Sequence, residues 1–300
     1  MKKLIKVLEK AKNISAWKIN ARETESCELF YVDKRLETNR ATDVVDYNAT
    51  IYVDKEEQRG TATFTYYPYM DEKEIKAKID EAVFASQFTF NKFFDIPGKE
   101  EVELKEQETN LKKKPFSKVI KDVEKAIFKA DKFKDGYLSA TEIFLYKITS
   151  RVINSKGVNL VTTKYQGNIE TIPSWKKKDD EVELYNMMTF SSFDPKEITK
   201  EIKEVLLLAK ARSKAKHLNI KKLPEDIGII IQDEEVEQTF QSFANDLTYG
   251  TKFYHRNHFN VGESVQGKEI NGSKLNLKMV SMCEGAANSS PVDEEDRKST

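Results

Sequence analysis

Three stretches near the start of the chain alternate apolar with polar residues, and this period of two constrains the fold more than any other feature. The stretches lie at 17–21, 47–53 and 61–66, and residues 29–32 between them are apolar at every position. Because successive side chains of a strand point to opposite faces, such alternation predicts strands with one buried and one solvated face. We therefore expect a half-exposed antiparallel sheet.

Helices are predicted where apolar residues recur every three or four positions. Asp71 with Glu74 three residues later is typical of an N-terminal capping box, and Asp194 followed by Pro195 marks the start of another helix. The same periodicity predicts helices near the N-terminus, around 119–127 and at 233–247. Strands are predicted at 142–153, 158–172 and 181–190, with a glycine turn at 154–157 between the first two.

The order of these elements predicts an α+β protein with three domains. A charged stretch with little periodicity opens at Pro97 and reaches Pro115, so we place a domain boundary in it. We expect an N-terminal domain at 1–110 and a central domain at 115–220, both with antiparallel sheets and packed helices. Residues 221–300 are expected to form a partial β-rich C-terminal domain that opens with a short buried strand at 227–231.

Charge and cysteine content narrow the functional classes. The chain has 50 Lys and Arg against 50 Asp and Glu, so no net charge draws nucleic acid or anionic lipid to it. Charged residues interrupt the apolar residues at the N-terminus, which argues against a signal peptide or a membrane span there. The two cysteines, Cys27 and Cys283, are far apart and fit a reducing compartment. We expect a soluble, cytoplasmic protein with no nucleic-acid or membrane partner.

Two segments resemble ligand-binding loops without completing them. Residues 131–142 approach a calcium loop, but Phe133 stands where an oxygen ligand belongs, and a strand follows where a helix is needed. Residues 262–269 approach a phosphate-binding loop, but Glu269 replaces the hydroxyl that holds Mg²⁺ and would repel phosphate. The sequence therefore favours neither calcium nor nucleotide binding.

The imidazoles of the chain are His217, His255 and His258. His255 and His258, with Glu263 nearby, form a conceivable metal-ligand set, although the cationic Arg256 between the two histidines opposes it. No H-E-x-x-H or G-x-S-x-G spacing occurs, and neither cysteine lies in a nucleophile motif. From the residues alone we assign no catalytic, cofactor-binding or metal-binding residue.

The order of several short segments resembles the TldD/PmbA family. Residues 21–33, and 47–53 with 60–64, are similar to the first two hairpins of that family. Residues 152–158, VINSKGV, are similar to its central N-S-x-G-V turn, and the helix that begins at Asp194 matches its next element. Residues 259–267 and 289–294 resemble segments of its C-terminal domain. Taken in order, the matches extend over nearly the whole chain.

This resemblance implies one half of a cytosolic pair of subunits. In such pairs one partner carries an H-E-x-x-x-H helix that binds zinc and cuts peptides, whereas the PmbA (TldE) type lacks it. The corresponding helix here has no histidine from Asp233 to Phe240, so zinc is expected in a TldD-like partner and not in this chain. Family roles include maturation of a peptide antibiotic, degradation of an antitoxin and an older label as modulator of DNA gyrase. Family members also run well past residues 289–294, so a shortened C-terminal domain is expected.

The residues and the family resemblance leave three functions open. The first is a PmbA/TldE-like non-catalytic subunit of a two-component zinc metallopeptidase, inactive by itself, which pairs with a TldD-like subunit or with itself and acts on small peptides. The second is a stand-alone protein that binds extended peptides at its sheet edges. The third is a metal-dependent peptidase that uses His255 and His258.

Overall fold

The computed structural model describes residues 1–99, 108–178, 180–216, 218–224, 226–231, 234–266, 272–273 and 280. The described part of the chain divides into two compact units, one that ends at Ala215 and one that runs from Lys216 to Val280. The first unit contains the sheet, and the described helices after residue 216 belong to the second.

The first unit consists of two halves, each with one helix before and one helix after its main strands. The first half contains α1 (Lys2–Lys10), β1 (Ala16–Val32), β2 (Arg35–Lys55), β3 (Gln58–Tyr66), α2 (Glu72–Ser86) and the short β4 (Asn91–Lys92). The second half contains α3 (Phe116–Ala130), β5 (Gly136–Asn154), β6 (Asn159–Lys177), β7 (Asp180–Glu183), β8 (Asn186–Phe190) and α4 (Pro195–Arg212). The single strand predicted at 181–190 is wrong, because residues 184 and 185 separate β7 from β8.

The described strands join in one antiparallel sheet with the order β4-β3-β2-β1-β5-β6-β7, and β8 also pairs with β6. At its centre β1 pairs with β5, from Lys18 opposite Asn154 to Val32 opposite Ala140. Strands from residues 1–110 and from 115–220 therefore share one sheet. The predicted α+β class and the antiparallel pairing are confirmed, whereas the boundaries of the three domains stay a prediction.

Two pairs of helices, α1 with α2 and α3 with α4, cover the same face of this sheet. Trp17 and Ile19 of β1 pack in a core with α1 and α2, and Leu29 and Tyr31 pack in a second core with α3 and α4. These four residues occupy odd-numbered positions, and alternate residues of a strand point to one face. Each fully buried leucine or isoleucine in these cores contributes roughly 1.5–3 kcal/mol relative to exposure.

The predicted helix starts and the predicted turn are confirmed. The Asp71 carboxylate accepts the backbone N–H groups of Lys73 and Glu74 at 2.7 and 2.8 Å. Asp194 caps α4 in the same way. Between β5 and β6, Gly157 takes a φ of +90°, which a glycine adopts at little cost.

The second unit differs from its prediction. Its described residues contain α5 (Glu234–Asp246), α6 (Tyr249–Phe253) and a 3₁₀ turn at Ile220–Lys222. The helix predicted at 233–247 is confirmed, but the buried strand predicted at 227–231 is wrong, because Ile229 and Ile230 are 81% and 92% exposed. A β-branched run becomes a strand when a neighbour bonds its backbone, and no described residue pairs with this one.

Within the segment 221–300, where a partial β-rich domain is expected, no strand occurs among the described residues up to 266. No helix in the described ranges combines the length and the apolar character needed to cross a bilayer.

Candidate functional site

Helix α5 occupies the position in the chain where the resemblance places a zinc-binding helix. Its sequence, EEVEQTFQSFAND, supplies carboxylates and amides but no imidazole. A catalytic zinc site requires three protein ligands and an open position for water, and two of the three are usually histidines in peptidases. The residues of α5 therefore do not fit the zinc ion that the family implies.

His255 and His258 follow α6, and His258 is hydrogen-bonded to Asp246, the last residue of α5. The Asp246 carboxylate lies 2.8 Å from His258 Nδ1 and accepts the backbone N–H of His258 at 2.9 Å. These contacts lower the pKa of Asp246, with the backbone hydrogen bond from His258 as the largest cause. The pairing of a helix-terminal carboxylate with a histidine explains the geometry without a bound ion.

Glu263, the third member of the conceivable ligand set, is bound elsewhere. Its carboxylate accepts the backbone N–H of Asn260 at 2.9 Å and the side-chain amide of Asn260 at 3.0 Å, and the backbone bond is the largest cause that lowers its pKa. No group of three His, Cys, Asp or Glu side chains able to share an ion occurs in the described ranges. His217 lies outside the described residues.

The calcium-like segment has a structural role. Asp131 is buried, its carboxylate lies 3.1 Å from Lys34 Nζ, and its carbonyl oxygen accepts from the same ammonium at 2.7 Å. Lys34 sits in the β1–β2 turn, where it takes a φ of 64°. Glu142, the last position of the segment, belongs to β5. Asp131 thus anchors a turn, and the phosphate-like segment at 262–269 lies partly outside the described residues.

A cluster of polar and aromatic side chains lies around the even-numbered positions of β1 and was not predicted from the sequence. Glu28 is buried, accepts the Ser26 hydroxyl at 2.7 Å and lies 2.5 Å from Arg40 Nη2. The Arg40 guanidinium lies 5.5 Å from the ring centre of Phe30, and the Phe30 ring meets that of Phe144 edge-on at 5.6 Å. The sequence clue was the alternation of Ser26, Glu28 and Phe30 opposite the apolar odd-numbered positions.

Burial shifts the acid–base behaviour of this cluster at its β5 end. Desolvation and the nearby Glu170 carboxylate raise the pKa of Glu142, and Arg40 opposes the shift. Glu170 in turn accepts the hydroxyl of Tyr185 at 2.9 Å. The cluster pairs opposite charges within the sheet, because the Glu28 carboxylate that accepts the Ser26 hydroxyl is also ion-paired with Arg40.

A cleft of about 440 Å³ opens between β3 and α2. Its walls are residues 62–65 of β3, Tyr67 and Met70 after that strand, and Lys78, Glu81, Ala82 and Ala85 of α2. Lys78 and Glu81 pair across one turn of the helix at 2.7 Å, so the rim is polar and locally neutral. The volume falls within the range of roughly 300–1,000 Å³ that is typical of small-molecule sites.

Comparison with protein families and with curated proteins found no match. Solved structures do match. One is a protein of Thermotoga maritima assigned as a modulator of DNA gyrase, with 16% identity and a TM-score of 0.51 over 69% of this chain. TldE of Thermococcus kodakarensis matches over the same share, with 14% identity and a TM-score of 0.51. A protein of Bacteroides thetaiotaomicron assigned as a modulator of DNA gyrase matches with 13% identity and a TM-score of 0.50 over 69% of this chain.

These identities establish the fold and nothing finer. The chain spans 46%, 47% and 49% of the lengths of the three structures, about half of each. The shared part agrees with the α+β architecture described above and with the family that the segment order resembles. This chain therefore has a TldE/PmbA-like fold, the fold of these solved modulator-of-gyrase proteins.

Proposed function

We propose that this chain is a TldE/PmbA-like, non-catalytic subunit of a two-component zinc metallopeptidase that processes or degrades small peptides in the cytoplasm. The observation that carries the proposal is the combination of this fold with a histidine-free α5. A zinc-bound water approaches a neutral pKa only when protein ligands hold the metal. The hydrolytic ion would therefore be held by a TldD-like partner.

The contacts of His258 and Glu263 also support a metal that is held by the partner and not by this chain. His258 is committed to Asp246, and Glu263 is committed to Asn260. A peptidase built on His255 and His258 receives no support from the described residues, so we do not propose it. The proposal includes no direct contact with gyrase, because that role rests only on the names of two similar structures.

The proposal is tested by peptide hydrolysis with separated and combined subunits. An unfolded fluorogenic peptide is incubated with this chain, with the TldD-type protein of the same organism, and with both. We expect no cleavage by this chain alone and chelator-sensitive cleavage by the pair. The matched control is a pair whose TldD-type subunit has its motif glutamate replaced by glutamine. Chelator-sensitive cleavage by this chain alone would contradict the proposal.

A second candidate function, a peptide-binding protein that acts without a partner, is favoured by the cleft beside β3. The two functions differ in what the partner changes. A binding protein of this kind would bind peptide as a monomer, with an affinity that is unchanged when the TldD-type protein is added.

A further inference from the structure

The outer edge of β3 is only partly occupied. On its inner side β3 pairs with β2 over its whole length, from Gln58 opposite Lys55 to Tyr66 opposite Tyr47. On its outer side β4 pairs only with Gln58 and Arg59. The rest of the outer edge, up to Tyr66, has no partner strand among the residues that the structure describes.

Thr89 reveals which backbone groups point outward along this edge. Its hydroxyl accepts the backbone N–H of Thr61 at 3.3 Å and donates to the Thr61 carbonyl oxygen at 2.6 Å. A single side chain thus reproduces the two hydrogen bonds that a neighbouring strand would make. The carbonyl of Glu57, which accepts from the Phe93 N–H at 2.8 Å, points to the same side.

The backbone groups of Thr63 and Thr65 point to the same outer side of β3 as those of Thr61. The N–H and C=O of a residue in an antiparallel strand point to one side, and the side alternates along the chain. Thr63 and Thr65 follow Thr61 by two and four positions, so their backbone groups point outward as well. No backbone partner for either residue occurs within the described ranges. The edge therefore presents two donor–acceptor pairs in β-sheet geometry.

The cleft lies directly beside these two pairs. Residues 62–65 and one side of α2 form part of its walls, and the side chains of Ala82 and Ala85 on that helix are small. A strand that paired with Thr63 and Thr65 would point every second side chain towards α2, because the pleat of a sheet is shared by neighbouring strands. The side chain on that side would enter the cleft and contact Phe64, Ala82 and Ala85.

We propose that this edge binds an extended peptide segment by strand addition, with an uncharged small or apolar side chain in the cleft. The row of outward backbone groups selects an extended main chain. The neutral Lys78–Glu81 pair at the rim provides no net charge to attract an ionic side chain. The site belongs to the first unit alone, so this inference rests on and deepens the second candidate function and does not require a zinc-bearing partner.

A second copy of the chain fits this site less well than a free peptide does. The cleft-facing side chain of β3 itself, Phe64, is buried in the core of its own copy, and Ala62 packs against that core. A copy that paired edge to edge would therefore have no side chain to place in the cleft. An unfolded peptide has all its side chains available.

The test measures binding of labelled heptapeptides to the full chain by fluorescence anisotropy. The probes are capped peptides with lysine ends and alternating threonines, whose central residue is Ala, Val or Phe. The probe that binds most tightly of the three is then made in two N-methylated forms, each methylated on alternate residues along one edge of the strand. We expect saturable binding to a monomer, and loss of about tenfold or more in affinity for one methylated form only.

Variants localise the binding to this edge. Thr63→Pro removes an outward N–H that makes no bond to β2. Because proline is tolerated at strand edges, this variant should stay folded. We expect it to weaken peptide binding about tenfold. Thr63→Val keeps the backbone and should bind like the wild type. Ala85→Trp fills the cleft, whereas Lys76→Trp adds the same bulk on the opposite side of α2 and should leave binding unchanged.

The results of these binding experiments distinguish a free peptide from a second copy of the chain as the occupant of the edge. Binding that depends on one methylated edge, on Thr63 and on Ala85 supports the proposal, whatever the peptidase assay shows. Failure of all three probes to saturate, or binding that Ala85→Trp leaves unchanged, would overturn it. Formation of a dimer that Thr63→Pro and Ala85→Trp abolish would also overturn it in favour of a second copy as the occupant.

Discussion

Arg59 has a nearly buried side chain, with 4% of its surface exposed. Its guanidinium bonds both oxygens of Asp54 at 2.6 and 2.8 Å and the Phe94 carbonyl oxygen at 2.8 Å. It also lies 4.5 Å from the ring centre of Phe93. The hydrogen bond that Arg59 donates to Asp54 is the largest cause that raises the pKa of Arg59 further. One side chain thus ties the β2–β3 turn to the segment that leaves β4.

Replacement of Arg59 by leucine should destabilise the protein by about 2 kcal/mol. This lies below the usual cost of breaking a fully buried pair, because Asp54 remains 32% exposed and regains water. Urea denaturation measures the change. The double variant Asp54→Asn with Arg59→Leu should lose less than the sum of the single variants, and strict additivity would contradict the pairing.

Glu142 gives a prediction of pH dependence with a definite sign. Its folded pKa is raised above the ordinary value of 4.5 by burial first and by Glu170 second. The stability that it contributes is therefore complete below that value and is lost as pH rises through the folded pKa. Glu142→Gln should gain stability relative to wild type between about pH 4 and about pH 7, as measured by thermal or urea unfolding at each pH.

The control for this prediction is Glu9→Gln on the exposed side of α1. It makes the same chemical change at a solvent-exposed helix position and provides the baseline for the comparison. An advantage of Glu142→Gln that is as large at the acidic pH as at neutral pH would show that packing, and not ionisation, explains it.

At the scale of single elements, the cap of α2 is the interaction that sequence and structure define most sharply. Asp71 accepts from the N-terminal turn, and the Glu74 carboxylate accepts the Asp71 N–H at 2.7 Å. Asp71→Ala should cost about 1 kcal/mol, whereas Asp71→Asn should cost little, because asparagine caps almost as well. Equal losses for the two variants in chemical denaturation would contradict the capping role.

Local signals explain why these elements were predictable and others were not. The caps at Asp71 and Asp194 and the turn at Gly157 depend on residues within a few positions of each other, so the sequence identifies them directly. The isoleucine run at 227–231 shows the limit, because a strand exists only when a distant segment pairs with it. The free edge of β3 could not be predicted for the same reason: it depends on where β4 and Thr89 stop.

At the scale of the whole molecule, the central β1–β5 pair joins segments that the sequence assigned to separate domains. The charged stretch around Pro97 to Pro115 is typical of a linker, yet the strands on either side of it pair from Lys18 opposite Asn154 onward. Composition predicts where a chain is solvated, and it does not predict which strands meet across the gap. The polar cluster around Glu28 was missed because its members come from separate strands.

This architecture predicts that residues 1–110 do not fold as an independent unit. Alone, that fragment would expose the side of β1 that pairs with β5, together with part of the core that contains Ile153. Circular dichroism and gel filtration of the fragment should show aggregation or no cooperative unfolding. Addition of residues 111–300 should restore a cooperative transition, and a monomeric 1–110 fragment with its own sharp transition would contradict the shared sheet.

The central claim is that the hydrolytic metal belongs to a partner. The most direct measurement is metal analysis and mass spectrometry of the tagged chain, purified under native conditions and then separated from what it binds. The prediction is a complex with a subunit that carries an H-E-x-x-x-H helix, in which the zinc follows that subunit and this chain retains none. Stoichiometric zinc on this chain after separation, with peptide cleavage that a chelator stops, would contradict the claim.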